Sequence, residues 1–476
     1  MKILRVVQLG ALVLMVVLVA ACQRVSPSPP NVLLIVIDTL RADRLRAYGN
    51  ARGLTPFLDD LATKGTVFRN AFATSSWTPP SVASLFTSRF PSQHRVVTPV
   101  AKLADAEITL AEKLAAHGYA TAGFSANLRL QPGLGFAQGF DVWVHHPLGP
   151  IKPRGSELRK ESIEWVDGPC AARRPAPCVL YLQYMEPHAP YQAPQPYQGR
   201  FADPEANARE IAAANSKLVQ LKLADISDRE AELLEGEYDA EVAAVDAELR
   251  LLLADLDRRR FLDNAIILIT SDHGEEFKEH GSLSHGSSLY NEAVHVPLIV
   301  LAPAVRGGEV VEDQVSLIDV APTILELLQL PPEPSFEGRS LVPLLKGHQS
   351  LIRRIAVWFG DGQATDRTPV LLELEDQSWG RKKKEWIERR RHTAGLIYGK
   401  AKLLVNQLTH TTEVFDLAAD PRELAPRSPS DSADANLAKA LDDVRTSLRE
   451  PAPAAGSQGF LDEGVKEKLR ALGYAH

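Results

Sequence analysis

Between Ala265 and Gly286 the chain reads AIILITSDHGEEFKEHGSLSHG. Its opening residues, Ala265–Ile269, form a continuous apolar run with the length and β-branched content of a strand buried on both faces of a parallel sheet. Thr270 and Ser271 end the run, Asp272 and His273 follow, and Gly274 gives the backbone freedom to turn. In open α/β sheets, ligands sit outside the carboxyl ends of the strands. A carboxylate beside an imidazole at such a place offers a hard oxygen and a borderline nitrogen to one divalent cation. The same Asp could instead cap a helix running on through Gly-Glu-Glu.

The pattern occurs twice. Asn31–Ile37, NVLLIVI, is a second apolar run that ends in an acid, Asp38, with Thr39-Leu40-Arg41-Ala42-Asp43 behind it. Two buried strands that each deliver an Asp at the carboxyl end converge on one cation if they are neighbours in the sheet. Arg41 and Asp43 could reach an anionic substrate and the metal shell, or form a surface ion pair. Further strand-like runs occur at Val67–Ala73, Tyr119–Phe124, Val179–Met185 and Val296–Ala302, alternating with helical patterns such as Leu103–Ala116 and Asn207–Arg260. The alternation predicts an α/β fold.

Ser75–Pro91, SSWTPPSVASLFTSRFP, has Pro79 and Pro80 where a helix can begin. Thr78 then lies at or just before the helix N-terminus, where free N–H groups and the dipole favour an anion. It could act as a nucleophile whose pKa a metal lowers, as the N-cap, or as both.

Five stretches in order, NVLLIVIDTLRADRL, WTPPSVASLFTS, YMEPHAPYQAP, SDHGEEFKEHG with SHGSSLYNEAVHVPLIV, and VSLIDVAPTILELL, resemble the sulfatase branch of the alkaline phosphatase superfamily. The resemblance runs from about Asn31 to Leu345, with weaker echoes beyond. It implies a large, mostly parallel central sheet flanked by helices and a small antiparallel C-terminal sheet. It also implies metal-dependent hydrolysis of an anionic ester, with one divalent cation held by Asp38, Asp272, His273 and the Thr78 oxygen. Mixed oxygen and nitrogen donors suit manganese or zinc better than calcium, which prefers oxygen alone. His188 becomes a substrate-oxygen contact or a proton donor to the leaving group, and His285 a substrate-site residue. Arg41, Asn127 and His280 are further substrate-side candidates, and a turn role for Asn127 is the alternative. Prolines on both sides are expected to hold His188 in an extended loop.

The nucleophile stretch departs from the sulfatase pattern of Cys or Ser, any residue, Pro, Ser and Arg, whose first residue becomes formylglycine. Here Thr78 takes the first place, Pro80 and Ser81 match, and Val82 replaces Arg; Ser88 stands where the family usually has Gly. Threonine is not a formylglycine precursor, so the chain is more similar to threonine-nucleophile relatives such as lipoteichoic-acid synthases and nucleotide pyrophosphatases. A formylglycine hydrate can shed its sulfate by collapsing to the aldehyde. A threonine ester has no such exit, so water must attack the central atom. This chemistry favours a phosphodiester or phosphomonoester and leaves a sulfate ester open.

The 476 residues allow more than one domain, and a formal net charge of -7 argues against a nucleic-acid partner. Lys2 and Arg5 precede an apolar segment, Val6–Ala21, then Cys22. That reads as a secretory signal, and the Cys after small residues resembles a bacterial lipobox, where the thiol is lipidated; an ordinary signal or short anchor is the alternative. The expected organisation is a signal at 1–22, a Pro/Ser tether at 23–30, a catalytic domain at 31–345, and a C-terminal subdomain and tail at 346–476. The expected location is outside the cytoplasm, anchored to a membrane. Cys170 and Cys178 close a short Pro-rich loop and fit a disulfide in an oxidising compartment. The basic run RKKKEWIERRR is a solvated face or a contact for anionic headgroups. Two other functions fit the sequence: a transferase that discharges the Thr78 intermediate onto a lipid or glycan, and a catalytically silent anion-binding lipoprotein.

Overall fold

Eleven strands build the first part of the fold: β1 (Asn31–Ile37), β2 (Thr66–Phe72), β3 (Ala120–Ser125), β4 (Val142–His145), β5 (Cys178–Tyr184), β6 (Ala265–Thr270), β7 (Glu276–Phe277), β8 (Leu283–Ser284), β9 (His295–Val296), β10 (Leu298–Leu301) and β11 (Glu309–Ser316). Nine of them form one sheet, in the order β11-β2-β10-β6-β1-β5-β3-β4, with β9 paired to β2. The pairs around β1, β3 and β5 are parallel, and β10 runs antiparallel to both its neighbours. The structure, a computed structural model, describes residues 28–146, 152, 154–203, 208–220, 222–303, 305–346, 369–382, 385–427, 429 and 432–447. The expected signal segment, Cys22 and most of the tether lie outside those residues, as do Lys383, Lys384 and residues 448–476.

Strand residues alternate between two apolar layers. Leu33, Ile35 and Ile37 of β1 join Leu180 and Leu182 of β5 and Ile267 and Ile269 of β6 in one core. Val32, Leu34 and Val36 join Val179, Tyr181, Ile266 and Leu268 in the other. A strand buried on both faces has no polar face to offer, which is why these runs read as continuously apolar. Eight helices carry labels here: α1 (Pro56–Lys64), α2 (Thr78–Thr87), α3 (Leu110–Ala116), α4 (Gly155–Trp165), α5 (Ala208–Val219), α6 (Asp228–Arg258), α7 (Val320–Leu327) and α8 (Ser432–Ser447). Leu158 of α4 and Leu234, Tyr238 and Leu249 of α6 cover the first layer, while Val82 of α2, Leu110 of α3 and Ile324 of α7 cover the second.

Three boundaries differ from expectation, each for a local reason. The helix expected from Leu103 starts only at Leu110, because Thr109 caps it through the Glu112 N–H while Glu112 returns a bond to the Thr109 N–H. The long helical stretch is two helices, with Ser227 and Glu230 forming a second capping box at the start of α6. Pro297 divides the expected Val296–Ala302 strand into β9 and β10, since a proline has no N–H for the ladder.

A four-stranded antiparallel sheet follows: β12 (Val370–Lys382), β13 (Glu385–Tyr398), β14 (Ala401–Asn406) and β15 (Thr411–Asp416). Val370, Leu372, Ile397 and Phe415 pack it on Phe72, Leu289 and Val294 of the main domain, and Leu437 and Leu441 of α8 pack on its other apolar cluster. Cys170 and Cys178 are joined by a disulfide.

Candidate active site

Register brings the two acids together. Val36 of β1 pairs with Thr270 of β6, so Asp38 and Asp272 leave adjacent strands at the same sheet edge. Asp38, Asp272 and His273 are fully buried, and one ligand atom from each lies within 4.8 Å of the others. His273 donates Nδ1–H to the Gly274 carbonyl (2.9 Å), which leaves Nε2 facing both carboxylates at 3.7 Å. Asp272 caps no helix, since the chain goes on into β7. Gly274 is needed for close approach and not for a left-handed turn. Its φ is not positive, and a Cβ there would lie 2.0 Å from the Glu292 carbonyl oxygen.

These residues fit a divalent cation. Asp38 Oδ1 is buried with no hydrogen-bond partner among the described residues, and the donor set mixes hard oxygen with imidazole nitrogen. Burial, then the Asp272 charge, pushes the Asp38 carboxyl up to about 7, and burial pushes Asp272 to about 6. Burial, then the charge of His285, holds His273 down to about 4. Two buried acids with so little compensation are a poor arrangement for stability alone and a good one for a cation.

Thr78 is the first residue of α2, and Trp77 occupies the cap position without a side-chain bond. The hydroxyl therefore does not cap the helix. It lies 3.5 Å from Asp38 Oδ2 and 3.2 Å from His273 Nε2, and accepts from Asn127 Nδ2 at 3.3 Å. Asn127 also donates to Asp38 Oδ2 at 2.5 Å, so its side chain faces the centre. The expected cradle of free N–H groups at this helix start is reduced, because Pro79 and Pro80 have none and the Ser81 N–H is directed to Trp77 O. Val82, in the place of the family's Arg, is buried in the core and presents no charge to an anion. Ser88 ends α2 in the left-handed region (φ 52°), the conformation that glycine adopts most readily, and its hydroxyl bonds to the Ile318 carbonyl at 2.6 Å.

Two histidines complete the site. His285 gives Nδ1–H to Glu275 Oε1 (2.8 Å), and its ring lies 4.6 Å from that of His273 and 4.9 Å from that of His188. Burial opposes charge on His285, but Glu275 beside it prevails and raises its pKa. His188 sits in a turn closed by its own N–H to Met185 O, not in an extended loop, and burial depresses its pKa.

Two expected substrate-side residues lie elsewhere. The Arg41 guanidinium is taken up by Asp43 (2.7 Å), Glu279 (2.5 Å) and the Glu275 carbonyl (3.0 Å), so it ties loops together. His280 bonds Glu292 (2.5 Å) and the Glu423 carbonyl (2.9 Å) and stacks on Tyr290 at the seam with the second sheet. Burial works against its charge, but Glu292 and that carbonyl lift its pKa to about 9.

Sequence reading missed Gln183, Glu275 and Thr39. Gln183 donates to Asp38 (3.4 Å) and Asp272 (3.3 Å), its amide oriented by the Tyr181 hydroxyl. A lone amide in the apolar run CVLYLQY was the available signal. Thr39 holds a positive φ of 60°, a strained state for a β-branched residue, and directs its N–H to Asp272 at 3.4 Å. Nothing in the sequence announced it.

The family model described as Sulfatase matches residues 30–330. Choline-sulfatase of Rhizobium meliloti (strain 1021) is 26% identical over 467 residues, covering 85% of this chain and 84% of that one. Bovine arylsulfatase K is 25% identical over 358 residues; the match covers 67% of this chain and 66% of the bovine protein's length. Among solved structures, the phosphonate monoester hydrolase SpPMH from Silicibacter pomeroyi superposes with a TM-score of 0.65 at 22% identity, covering 88% of this chain and 94% of that one. BT4656, solved in complex with its substrate D-glucosamine-2-N,6-O-disulfate, gives 0.68 at 20%, covering 88% and 98%. The structures speak for the same fold; the family match, which spans well over half of the chain and every residue of the site, makes this chain a member of the sulfatase family.

Proposed function

We propose that this chain is a metal-dependent hydrolase of anionic phosphorus or sulfur esters, working through a covalent intermediate on Thr78. The observation that carries the reading is the Thr78 hydroxyl, buried against Asp38 and His273 instead of capping its own helix. Similarity to a choline-sulfatase and to the fold of a phosphonate monoester hydrolase supports ester hydrolysis. Asp38, Asp272, His273 and the Thr78 oxygen would hold one cation, manganese or zinc by donor type, and a bound cation supplies Lewis-acid polarisation and offsets two buried negative charges.

The chain's own residues do the rest. Asn127 orients the Thr78 oxygen, whose proton passes to Asp38 Oδ2. That oxygen attacks the central phosphorus or sulfur, and the bond to the leaving oxygen breaks as His188, neutral in the free protein and charged only beside the bound anion, gives it the Nε2 proton. His285, held cationic by Glu275, pairs with the non-bridging oxygens. Water then gives a proton to His188 and attacks the central atom, the bond to Thr78 breaks, and its oxygen takes back the proton from Asp38. Because threonine offers no aldehyde exit, a phosphorus centre is the better fit.

The test is a panel of aryl phosphate, phosphodiester and sulfate esters, run on chelated and metal-reloaded protein. Activity should return with manganese or zinc and be absent in Thr78→Ala; turnover surviving in Thr78→Ala would overturn the reading. A location outside the cytoplasm is part of the proposal, supported by the Cys170–Cys178 disulfide and the sequence before Cys22. Palmitate label should enter the wild type and not Cys22→Ala. Among the described residues no helix is long and apolar enough to cross a membrane.

A further inference from the structure

Lys152 has a side chain that is completely buried, as does its partner Glu241 of α6, with Nζ and Oε2 2.5 Å apart. A second bond from the same ammonium goes to the His188 carbonyl oxygen at 2.6 Å. Glu241 uses its other oxygen to accept the Gln192 N–H at 2.9 Å. The pair therefore grips the segment after β5 at two points, four residues apart. Asn215 of α5 grips it between them, bonding both backbone groups of Tyr191 at 2.8 Å. Inside this frame His188 gives Nδ1–H to the Ala189 carbonyl at 2.5 Å, so ring and backbone are held as one piece.

A buried ion pair is a weak source of stability, since both ions lose their water. What it does provide is direction: an ammonium fixed by its carboxylate delivers the next hydrogen bond along one line. We propose that Lys152 is a positioning residue that sets the His188 ring against the reacting centre, through the His188 carbonyl and with Glu241 as its anchor. The proposal rests on the reading of His188 as the leaving-group acid and deepens it. The Lys152 ammonium bonds Glu241 and the His188 carbonyl and none of Asp38, Asp272, His273 and Thr78. Its effect is passed on through the backbone of the turn that presents the imidazole.

Removing Lys152 alone would strand a buried carboxylate, so the informative variant is Lys152→Met/Glu241→Gln, which is neutral and keeps an acceptor for the Gln192 N–H. Two readouts are taken on the full chain. In spectra of protein labelled with ¹⁵N-histidine, the His188 ring signals should shift or broaden in the double variant, while those of buried His94, on Ser84, and half-buried His295, on the Arg69 carbonyl, stay in place. His188 signals identical to wild type would overturn the proposal. In kinetics, kcat for an alkyl ester, whose leaving group needs a proton, should fall about tenfold more than kcat for the nitrophenyl ester of the same acid, and Lys152→Arg should recover part of that loss. Shifted His188 signals with equal losses on both esters would uphold the positioning and overturn instead the assignment of His188 as leaving-group acid.

Discussion

The two halves of the site are built differently. Asp38, Asp272 and Thr78 stand on or directly beside regular elements, and β-sheet register alone brings the two acids side by side. His188 rides in a turn and His285 follows the two-residue strand β8, outside the large sheet, and each is aimed by a chain of partners: His285 through Glu275 and Tyr191, His188 through its turn and Lys152. Distant side chains support both halves, Asn127 and Gln183 on the acids, Glu275 and Lys152 on the histidines, but only the acids also have their spacing set by sheet register. The half proposed to hold the cation is therefore expected to fail abruptly on substitution, and the histidine half to fail by degrees.

The largest effect should come from Asp38→Asn. Losing a cation ligand removes several kcal/mol of transition-state stabilisation, about 10³-fold or more in kcat/KM. The same change should stabilise the chelated protein. Burial and Asp272 raise the Asp38 carboxyl from 3.8 to about 7, so between those values the folded state holds a proton that the unfolded chain has lost. Stability then falls as pH rises through that window, by about 2–4 kcal/mol for this group. Thermal unfolding in chelator at pH 8 should show a higher Tm for Asp38→Asn than for wild type.

Next in size is Glu275→Gln. The Glu275 charge raises the His285 pKa, so its removal should let His285 lose its proton at lower pH. The alkaline limb of the pH–rate profile should move to lower pH, with kcat down about 10²-fold at neutral pH. Tyr191→Phe removes only the hydroxyl that bonds buried Glu275 at 2.8 Å and should cost about tenfold in kcat and about 1–3 kcal/mol of stability. A Tyr191→Phe loss as deep as that of Asp38→Asn would erase the contrast between the halves.

Arg41→Met and Ser88→Gly sharpen the comparison from outside the site. Arg41 should prove structural: its loss leaves Glu279 unpaired, while Asp43, half exposed and beside Arg44, stays solvated, so urea unfolding should show a cost of about 1–2 kcal/mol. Nitrophenyl ester turnover should change less than about threefold, since its guanidinium is occupied away from the reacting centre. At Ser88, glycine would relieve the φ of 52° but lose the bond to Ile318, leaving stability within about 1 kcal/mol.

The same contrast explains what the sequence could tell. Apolar runs such as NVLLIVI and AIILI announce buried strands, and an acid at the end of each announces a shared edge, because pairing in a parallel sheet leaves few alternatives. The resemblance to sulfatases then made Thr78, His188 and His285 legible. Arg41 and His280 were misread because a charged side chain in a matching stretch says nothing of which way it turns; Glu279 and Glu292, which hold them, are local acids of a kind found on any surface. Gln183 and Lys152 reach the site through contacts 36 to 145 residues away and Glu275 across a loop, separations no local pattern encodes. Thr39 is strained by its surroundings and not by its own sequence.

The most direct test of the central claim is mass spectrometry of protein quenched during turnover of a nitrophenyl ester with the cation restored. The account predicts a phosphoryl or sulfuryl group on the peptide that contains Thr78, absent from Thr78→Ser/Asp38→Asn and formed more slowly when His285 is replaced. Steady turnover with that peptide unmodified at every quench time, and with Thr78→Ala as active as wild type, would contradict it.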